Sequence, residues 1–551
     1  MFDEVVDTVP IPNRLAAARS AARSSSPRST GTTTAASISC PPTKNAIASR
    51  CSQRTPFQNV TAPDPGTLAA GMNFARDVVD RAAPDRTALI ELARDGRRRE
   101  WTFGDVADRS ARLAGTLTRH GVARGDVVMT VIGNRPEWVL TMVACFRLGA
   151  VALACNEQLR AKDLEQRIAA AAPTLIVADE RNLSELSNAG PACTVLTVPD
   201  DRLFDTAEPA PAAELEPGDP CLITFTSGTT GEPTGVVHGQ RYLPGQRLQA
   251  EHWLDARPGD LVWCTAATGW SKSARNTFIA PWLRGAAALL HDERFDPAQR
   301  LEVLADEEVN VLCLAPTEYR VIAKRVKLKP LPALRSLVAA GEALNPEVIR
   351  TFTEEVGLAI RDGYGQTETG QLTANPPGER VRPGSMGRAL PGVDLRVEDG
   401  ELVLGNPATD PTFFVGYLDG TPSPGERPWK TGDRVRLDDD GYLYFEGRAD
   451  DLIISAGYRI GPFEVESALV SHEAVAEAAV VAAPDEERGA VVRAVVVLRD
   501  GFAPGHALAT ELQEHVKHQT APYKYPRIVD FADELPKTAS GKIQRASLRS
   551  R

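Results

Sequence analysis

The sequence predicts an α/β fold, with a large N-terminal α/β domain that contains several β-sheets and a small α+β domain at the C-terminus. Short apolar runs precede stretches of helical spacing, as at residues 127–132 and 137–148. Similar apolar runs recur at 175–177, 311–314 and 337–340. Strands without polar alternation are typical of sheets that are covered on both faces. At 551 residues the chain is too long for one core, so two or three domains are expected.

The first part of the chain differs in composition from the rest. Residues 9–63 carry seven Lys or Arg and no Asp or Glu, among many Ser, Thr, Pro and Ala. Such a segment buries too little apolar surface to offset its ordering entropy, so residues 1–65 are predicted to be a disordered or non-native extension. An organelle transit peptide has a similar composition. Asp3, Glu4 and Asp7 depart from that pattern, so a cytoplasmic location is expected before a mitochondrial one.

Helical spacing is also found at residues 74–83 and 102–120, and the pattern changes after residue 384. Two hairpins are then predicted, with turns at Asp399-Gly400 and Asp440-Gly441. Beyond residue 448 the pattern predicts a smaller unit of two helices and two strands. The helices are expected at 462–471 and 507–519, and the strands at 478–482 and 491–498.

The overall composition is that of an ordinary globular enzyme, with 42% apolar and 25% charged residues. A net charge of −11 argues against a nucleic-acid or anionic-membrane partner, so an anionic substrate has to meet local positive charge. The eight cysteines include no C-x-x-C pair, which indicates free thiols in a reducing compartment. No apolar run approaches the ~20 residues of a membrane span.

A loop rich in glycine and hydroxyl side chains follows a strand predicted at residues 222–225. Glycines allow positive φ angles that turn backbone N–H groups toward one point, and the hydroxyls add donors, which suits a polyphosphate. The segment is not a Walker A sequence, because no Gly-Lys-Ser/Thr follows. A helical stretch is expected after the loop. The residues expected to contact phosphate are Thr226, Ser227, Gly228, Thr229, Thr230 and Gly231.

This loop resembles the signature loop of the adenylate-forming superfamily, which contains acyl-CoA synthetases, luciferases and peptide-synthetase adenylation domains. Further superfamily motifs occur in the same order, so the resemblance covers residues 70–548. They are Ala340-Gly-Glu342, Asp362-Gly-Tyr-Gly-Gln-Thr-Glu-Thr369, Lys430-Thr-Gly-Asp433, Gly447-Arg-Ala-Asp-Asp451, Ala456-Gly-Tyr-Arg-Ile-Gly461 and Pro536-Lys-Thr-Ala-Ser-Gly-Lys542. Segments such as 281–285, 315–319 and 520–527 make the medium-chain acyl-CoA synthetases the most similar group.

The resemblance implies an AMP-forming acyl-CoA synthetase that uses ATP, Mg²⁺ and CoA and passes through an acyl-adenylate. It also implies a large AMP-binding domain at residues 66–447, a hinge at 448–451 and a small mobile C-terminal domain at 452–551. Asp450 occupies the hinge position, where short polar segments absorb the backbone changes between domain orientations. The expected partners are small-molecule substrates, and the oligomeric state is left open.

One position departs from the superfamily pattern. The loop usually ends in Pro-Lys-Gly, and Thr234 stands here in place of the lysine. A cation close to the departing pyrophosphate is lost, so a lower rate or a weaker phosphate affinity is expected. A low-activity acyl or nucleotide binder is therefore one alternative function.

Adenylation brings a carboxylate against the α-phosphate of ATP, and the two anions repel, so catalysis has to neutralise charge and align the reactants. Glu368 is suited to hold Mg²⁺, which prefers oxygen ligands shared with phosphates. The resemblance implies that Thr367 and Gln366 lie beside the α-phosphate and the acid. Other residues that it assigns to the nucleotide are Gly341 and Glu342 beside the adenine, and Asp362, Gly363, Tyr364 and Gly365 in the motif of Gln366.

The resemblance assigns the ribose to Asp433, whose carboxylate is expected to accept hydrogen bonds from both hydroxyls. Arg448 is expected to add a ribose or phosphate contact. Lys542 is expected to contact the substrate carboxylate and the α-phosphate during adenylation, and to leave when the small domain rotates. The residues expected to serve CoA, through a glycine that admits the pantetheine arm and cations that meet its phosphates, are Gly457, Tyr458, Arg459, Arg488, Lys524 and Arg527.

The acid and the acceptor of its acyl group are open to three interpretations. Acetyl-specific synthetases carry a tryptophan where this chain has Gly365, so an acyl tail has room to continue inward, and each buried methylene contributes ~0.8 kcal/mol. A glycine also suits the turn by itself, so it does not decide tail length. Medium-chain fatty acids are the expected substrates, with benzoate-type acids as the first alternative. A stand-alone enzyme that loads a carrier protein is the second.

Overall fold

The computed structural model describes residues 72–226, 233–342, 344–449, 451–456, 458–537 and 543–549. Strands and helices alternate in these residues, which confirms the predicted α/β fold class. The helix predicted at 74–83 is shorter, a π-helical turn at Ala75–Val79. The first elements are β1 Thr87–Leu92, β2 Arg98–Thr102, α1 Phe103–Arg119, β3 Val127–Val131, α2 Pro136–Leu148, β4 Val151–Cys155, α3 Ala161–Ala171, β5 Leu175–Asp179, α4 Leu183–Ala189, β6 Thr194–Val198 and α5 Arg202–Asp205.

The middle of the chain completes the two largest sheets. Its first elements are β7 Pro220–Thr226, β8 Thr234–Gly239, α6 Tyr242–Gly245, α7 Arg247–Gln249, β9 Leu261–Cys264, α8 Lys272–Ala274, α9 Ala280–Leu283 and β10 Ala287–His291. They are followed by α10 Pro297–Asp306, β11 Val311–Leu314, α11 Pro316–Arg325, β12 Ser336–Ala340, α12 Pro346–Glu355 and β13 Ile360–Gly363.

Shorter strands dominate the remainder. They are β14 Gly365–Gln366, β15 Gly370–Gln371, β16 Thr373–Ala374, β17 Arg388–Ala389, β18 Leu395–Glu398, β19 Glu401–Leu404, β20 Gly416–Tyr417, β21 Trp429–Leu437 and β22 Leu443–Arg448. The last elements are β23 Ile453–Ser455, β24 Tyr458–Ile460, α13 Pro462–Val470, β25 Val475–Asp485, β26 Gly489–Leu498, α14 His506–Gln519, β27 Ile528–Phe531 and α15 Arg545–Arg549.

Two seven-stranded sheets, both largely parallel, are formed by β1–β13 and β20. The first has the order β13-β12-β11-β9-β10-β1-β2, with an antiparallel pair at β1–β2. The second has the order β20-β8-β7-β4-β3-β5-β6, with antiparallel pairs at β20–β8 and β8–β7. Strands β3, β4, β5, β9 and β11 are buried along their whole length, as expected when helices cover both faces of a sheet.

Both predicted hairpins are confirmed. Strands β18 and β19 pair across Asp399-Gly400, and β21 pairs with β22 across Asp440-Gly441. The two hairpins join in one antiparallel sheet of order β18-β19-β21-β22. Farther along the chain, β25-β26-β27 form a three-stranded sheet whose core includes apolar residues of α13 and α14. The predicted domain limits at 448–451 stay a prediction.

A helical stretch was predicted directly after the glycine-rich loop, but a strand comes first and helical turns begin only at Tyr242. Residues Thr234–Gly239 form β8, which pairs antiparallel with β7 and sets Thr234 opposite Thr226. Val236 and Val237 of β8 are both buried. Their branched side chains favour a covered, pleated strand over a helix. The chain therefore returns to the same sheet instead of crossing to the helical layer.

Two expectations from composition concern membranes and cysteines. In the part of the chain that the structure describes, no helix is both long and apolar enough to cross a bilayer. The described cysteines carry free thiols, as the absence of a paired spacing predicts. They are Cys145, Cys155, Cys193, Cys221, Cys264 and Cys313.

Candidate active site

The central motif lies where strand β13 leaves the first large sheet. Gly365 and Gln366 form β14, which pairs with β15 at Gly370 and Gln371, so the residues between these strands form a tight hairpin. A Cβ added at Gly365 would lie 1.8 Å from the carbonyl oxygen of Gly370. Backbone contact alone therefore requires glycine at this position. The alternative reading, an opening for an acyl tail, gains no support from it.

A buried carboxylate, that of Asp433, is the centre of the hydrogen-bonded cluster beside this hairpin. The Tyr364 hydroxyl donates to its Oδ2, as does Gln366 Nε2 at 2.9 Å. Arg448 Nη1 donates to Oδ1 at 3.2 Å from the neighbouring strand β22. Burial raises the pKa of the Asp433 carboxyl, and the hydrogen bond from Tyr364 and the charge of Arg448 oppose that shift. The structure thus brings together four residues that the sequence assigns to the nucleotide.

Gln366 is itself held in one orientation. Its Nε2 also donates to the carbonyl oxygen of Thr431 at 2.7 Å, and Trp429 Nε1 donates to its Oε1 at 3.0 Å. Since both ends of the amide are engaged, the side chain is fixed before any ligand arrives. Polar groups that are already oriented need little reorganisation when charge develops in a transition state.

Glu368 lies half-buried in the connection between β14 and β15. The Tyr417 hydroxyl donates to its Oε1 at 3.2 Å. Burial raises the pKa of the Glu368 carboxyl, while the hydrogen bond from Tyr417 and the charge of Arg448 lower it. Among the described residues no group of three His, Cys, Asp or Glu side chains forms a metal site. A divalent cation would need nucleotide phosphates and water beside Glu368, which is the usual pattern for Mg²⁺.

The segment predicted to border the adenine is tied to helix α11. Thr317 Oγ1 donates to Glu342 Oε2 at 2.9 Å, and Arg320 Nη2 donates to the same oxygen at 3.0 Å. Asp362 is buried, which raises the pKa of its carboxyl well above the ordinary value, and it accepts from the backbone N–H of Gly363. A Cβ at Gly363 would lie 2.4 Å from Gln371 Nε2, so close packing requires that glycine.

Several predicted residues have no described structure. They are Ser227, Gly228, Thr229, Thr230, Gly231, Asp450, Gly457, Lys542 and the side chain of Arg459. Thr226 is described at the end of β7, where its Oγ1 donates to the carbonyl oxygen of Thr234 at 3.4 Å. The departure at position 234 therefore lies at the base of the predicted phosphate loop.

The predicted CoA residues lie on the C-terminal unit. Tyr458 is 52% exposed and stacks on Tyr523, with ring centroids 4.3 Å apart. The Arg527 guanidinium lies 5.0 Å from the ring centroid of Tyr525. The ammonium of Lys524 forms an ion pair with Glu464, and the Arg488 carbonyl accepts from Ala456. Aromatic faces and cations thus share one surface, and the sequence did not predict the tyrosine stack.

A cavity of about 290 Å³ opens at the carboxyl ends of strands from both large sheets. Ligands of open α/β sheets bind in crevices at these ends, because the loops there diverge. None of the described residues predicted for the nucleotide lines this cavity. Among the residues that line it are Cys264, Lys272, His291, Arg300 and Cys313.

Ion pairs join the two sheets at the cavity wall. Arg181, which follows β5, pairs with Asp179 at 2.7 Å and with Asp292 beyond β10 at 3.1 Å. Arg94 pairs with Glu157, which follows β4, at 2.9 Å. These partners come from both sheets, and Glu157 and Asp292 line the cavity, so the pairs link the sheets beside it.

Lys272 is a functional candidate that the sequence analysis missed. Its Nζ donates to the carbonyl oxygen of Ala340 at 2.9 Å and lies 3.3 Å from a Cβ built on Gly341. The side chain therefore connects the cavity with the segment predicted to border the adenine. The lysine two residues after Trp270 was the available signal.

A neutral histidine supports a buried cation on the opposite wall. Arg300 is 5% exposed and its Nη1 lies 3.0 Å from His291 Nδ1. Burial, and then the charge of Arg300, lower the pKa of His291 to about 4. His291 therefore accepts this hydrogen bond at neutral pH. Protonation would set two positive charges against one another.

The contact between His291 and Arg300 predicts that the folded state is less stable at acid pH. The unfolded chain binds a proton at His291 with the ordinary pKa of ~6.5, so folding stability should fall as the pH falls from 6.5 through 4. The loss at this one site is about 3 kcal/mol at its limit. We expect His291→Asn to flatten this pH dependence in thermal unfolding measured between pH 4.5 and 7.5. The exposed His518→Asn is the control, and an unchanged profile in His291→Asn would contradict the assignment.

The α/β sheets and the match to a family model identify an adenylate-forming enzyme. The chain belongs to the AMP-binding enzyme family, whose model matches residues 76–408. The model for the C-terminal domain of AMP-binding enzymes matches residues 464–542.

Relatives and solved structures agree with this family. The mitochondrial acyl-coenzyme A synthetase ACSM4 of Rattus norvegicus is 39% identical over 526 residues, which cover 88% of this chain and 91% of the relative. The acyl–CoA ligase YtcI of Bacillus subtilis is 38% identical, covering 85% and 94%. A benzoate CoA ligase from Burkholderia xenovorans is 28% identical with a TM-score of 0.77, covering 87% and 100%. The family and these matches make the chain an AMP-forming acid–CoA ligase.

Proposed function

We propose that this enzyme activates medium-chain fatty acids with ATP and transfers them to CoA. The observation that carries the proposal is the buried Asp433 carboxylate, which Tyr364, Gln366 and Arg448 hold in place. A carboxylate has about four acceptor positions, so Asp433 keeps capacity for a ribose hydroxyl. The likeness of the motif segments to medium-chain synthetases supports the choice of acid.

The reaction has two steps in this proposal. The acid carboxylate attacks the α-phosphorus of ATP and pyrophosphate leaves, and the CoA thiolate then attacks the acyl carbonyl and AMP leaves. Gln366 and Thr367 would orient the reacting groups, and Lys542 would neutralise charge in the first step. Mg²⁺ bound by Glu368 would neutralise phosphate charge. A cytoplasmic location stays a prediction from the acidic residues at 3, 4 and 7.

The cavity suits the second substrate or the acyl group, because it opens beside Lys272 and Gly341. Its walls are polar as well as aromatic, with Lys272 and Arg300 near Trp270 and Phe295. An aromatic acid is therefore the second candidate substrate, since the benzoate CoA ligase shares the fold over 87% of this chain. A carrier-loading enzyme would release pyrophosphate without forming a CoA thioester.

An acid panel tests the proposal. We expect pyrophosphate release and CoA-thioester formation with octanoate to exceed those with acetate by about 10²- to 10³-fold in kcat/KM, because six more methylenes each contribute up to ~0.8 kcal/mol. Benzoate should support a lower rate than octanoate. Faster turnover of benzoate would select the aromatic alternative. Absence of pyrophosphate with every acid would leave only a nucleotide or acyl binder, as the loss of the loop lysine at Thr234 suggests.

A further inference from the structure

Two cysteines lie directly opposite one another on neighbouring parallel strands beneath the cavity. Cys264 ends β9, Cys313 lies in β11, and the strand register pairs these two residues. Paired residues point to the same face of a sheet, and adjacent strands lie ~4.8 Å apart. That spacing falls within the Cα–Cα range of ~4.4–6.8 Å at which disulfides form. Both residues line the cavity, where Cys264 is 2% and Cys313 is 1% exposed.

The surroundings of the two sulfurs make them chemically different. A hydrogen bond from Cys313 is the main factor that lowers the pKa of the Cys264 thiol, and the charge of Lys272 adds to it. The same hydrogen bond and burial raise the pKa of Cys313 well above the ordinary value. Asn276 Nδ2 lies 3.7 Å from the Cys313 sulfur and holds that side chain in place. The pair thus combines a thiol whose pKa is lowered with a neighbour whose pKa is raised.

The other buried cysteines lack this arrangement. Burial is the main cause of the raised pKa values of Cys145 and Cys155, which are about 12. Cys221 is also buried, and its Sγ donates to the carbonyl oxygen of Gly239. Thiols without a stabilised anion react slowly with oxidants.

We propose that Cys264 and Cys313 are an oxidisable thiol pair that a hydroperoxide converts into a disulfide. The Cys264 sulfur attacks one peroxide oxygen as the O–O bond breaks, the thiol proton passes to the departing oxygen, and a sulfenic acid and one water result. The Cys313 thiol then attacks the sulfenic sulfur, and the second water leaves. In sum, two thiols lose two protons and two electrons, and one hydrogen peroxide becomes two waters.

The bond would alter the substrate cavity. Cys264 immediately precedes the lining segment that leads to Trp270 and Lys272, and its Sγ donates to the carbonyl oxygen of Lys272 at 3.6 Å. Disulfide formation removes this donor and joins β9 to β11 covalently at the cavity floor. Lys272 would then lose part of the support for its contact with Ala340. We therefore expect the oxidised enzyme to be inactive until a dithiol reduces it.

The test combines mass spectrometry with activity and uses the full chain. On treatment with stoichiometric hydrogen peroxide, we expect the mass to fall by two hydrogens and peptide mapping to locate the bond between residues 264 and 313. Synthetase activity should fall about tenfold or more, and dithiothreitol should restore it. Cys264→Ser and Cys313→Ser should keep their activity under the same treatment. Cys193→Ser, which changes a cysteine that is not buried, should lose activity like the unmodified enzyme.

Mapping decides the proposal independently of the activity. A bond elsewhere, or no loss of hydrogens before other cysteines oxidise, would overturn it. Equal inactivation of Cys264→Ser would overturn the link to the cavity. The activity readout rests on the proposed acyl-CoA synthetase function. If no acid is turned over even by the reduced enzyme, the proposed function fails while the mapped bond still confirms or refutes the thiol pair.

Discussion

Replacing Lys542 with alanine should lower the rate of adenylation by about 10³-fold, because the substrate carboxylate and the α-phosphate would meet without a cation between them. The second half-reaction, thioester formation from supplied acyl-adenylate, should proceed at nearly the normal rate. The two rates are measured separately, as pyrophosphate release with acid and ATP, and as thioester formation from synthetic acyl-adenylate and CoA.

The chain offers a matched control for this variant. Lys537 lies in the same terminal segment, pairs with Ile543 in an isolated antiparallel bridge and forms an ion pair with Glu477 at 2.7 Å. Lys537→Ala removes a surface ion pair, which is worth at most about 1 kcal/mol, and should leave both half-reactions intact. Equal loss of both half-reactions in Lys542→Ala would contradict a mechanism in which this lysine serves adenylation alone.

Contacts of the residues after position 542 are expected to keep the Lys542→Ala variant folded. Arg545 Nη2 contacts Glu466 Oε2 at 2.8 Å, and Arg549 pairs with Asp451. The buried Leu548 belongs to an apolar cluster with Val481 and Leu535. These contacts anchor α15 independently of Lys542, so a loss of activity would report on chemistry.

Glu368→Gln should reduce adenylation by about 10²-fold, because an amide cannot neutralise a divalent cation bound to phosphates. The side chains have the same size, and the glutamine oxygen can still accept from the Tyr417 hydroxyl. The fold should therefore be unchanged, and the loss should appear in kcat together with a higher Mg²⁺ requirement. Steady-state kinetics over a Mg²⁺ series measure both quantities.

The control for this second variant is Glu379→Gln. Glu379 forms an ion pair with Arg388 and accepts from the Tyr442 hydroxyl at 3.0 Å, outside the cluster of Glu368 and Asp433. Its replacement should leave kcat and the Mg²⁺ requirement unaltered. If the Glu368→Gln enzyme had a normal kcat, Glu368 would not be a metal ligand. Its hydrogen bond with Tyr417 would then serve packing only.

Local sequence predicted the regular elements well where one signal dominated. The Asp399-Gly400 and Asp440-Gly441 turns place glycine where φ is positive, so each hairpin is specified within a few residues. The strand Thr234–Gly239 was not predicted, because a helical stretch was expected directly after the loop. Its apolar residues pack in a strand only because β7 and β20 lie on either side, and short apolar runs do not reveal such neighbours.

In the candidate site, too, some residues were assigned from the sequence and others only from the structure. Gln366, Asp433 and Arg448 were assigned from separate motifs, and the structure joins them in one hydrogen-bonded cluster. The sequence assigned no function to Lys272, and it did not predict the contact between His291 and Arg300. Lys272 contacts Ala340, 68 residues away, and His291 contacts Arg300 across the turn between β10 and α10, so neither contact follows from local periodicity.

By itself the sequence determined the α/β class, the two hairpins and the membership of an adenylate-forming family, because these depend on local periodicity, turn residues and ordered motifs. Only the tertiary structure decided that Gly365 serves a backbone contact, that Thr234 begins a strand, and that Cys264 faces Cys313. The physical reason is that each depends on which atoms meet across distant segments. Burial then decides how strongly those contacts act, as the lowered pKa of His291 shows.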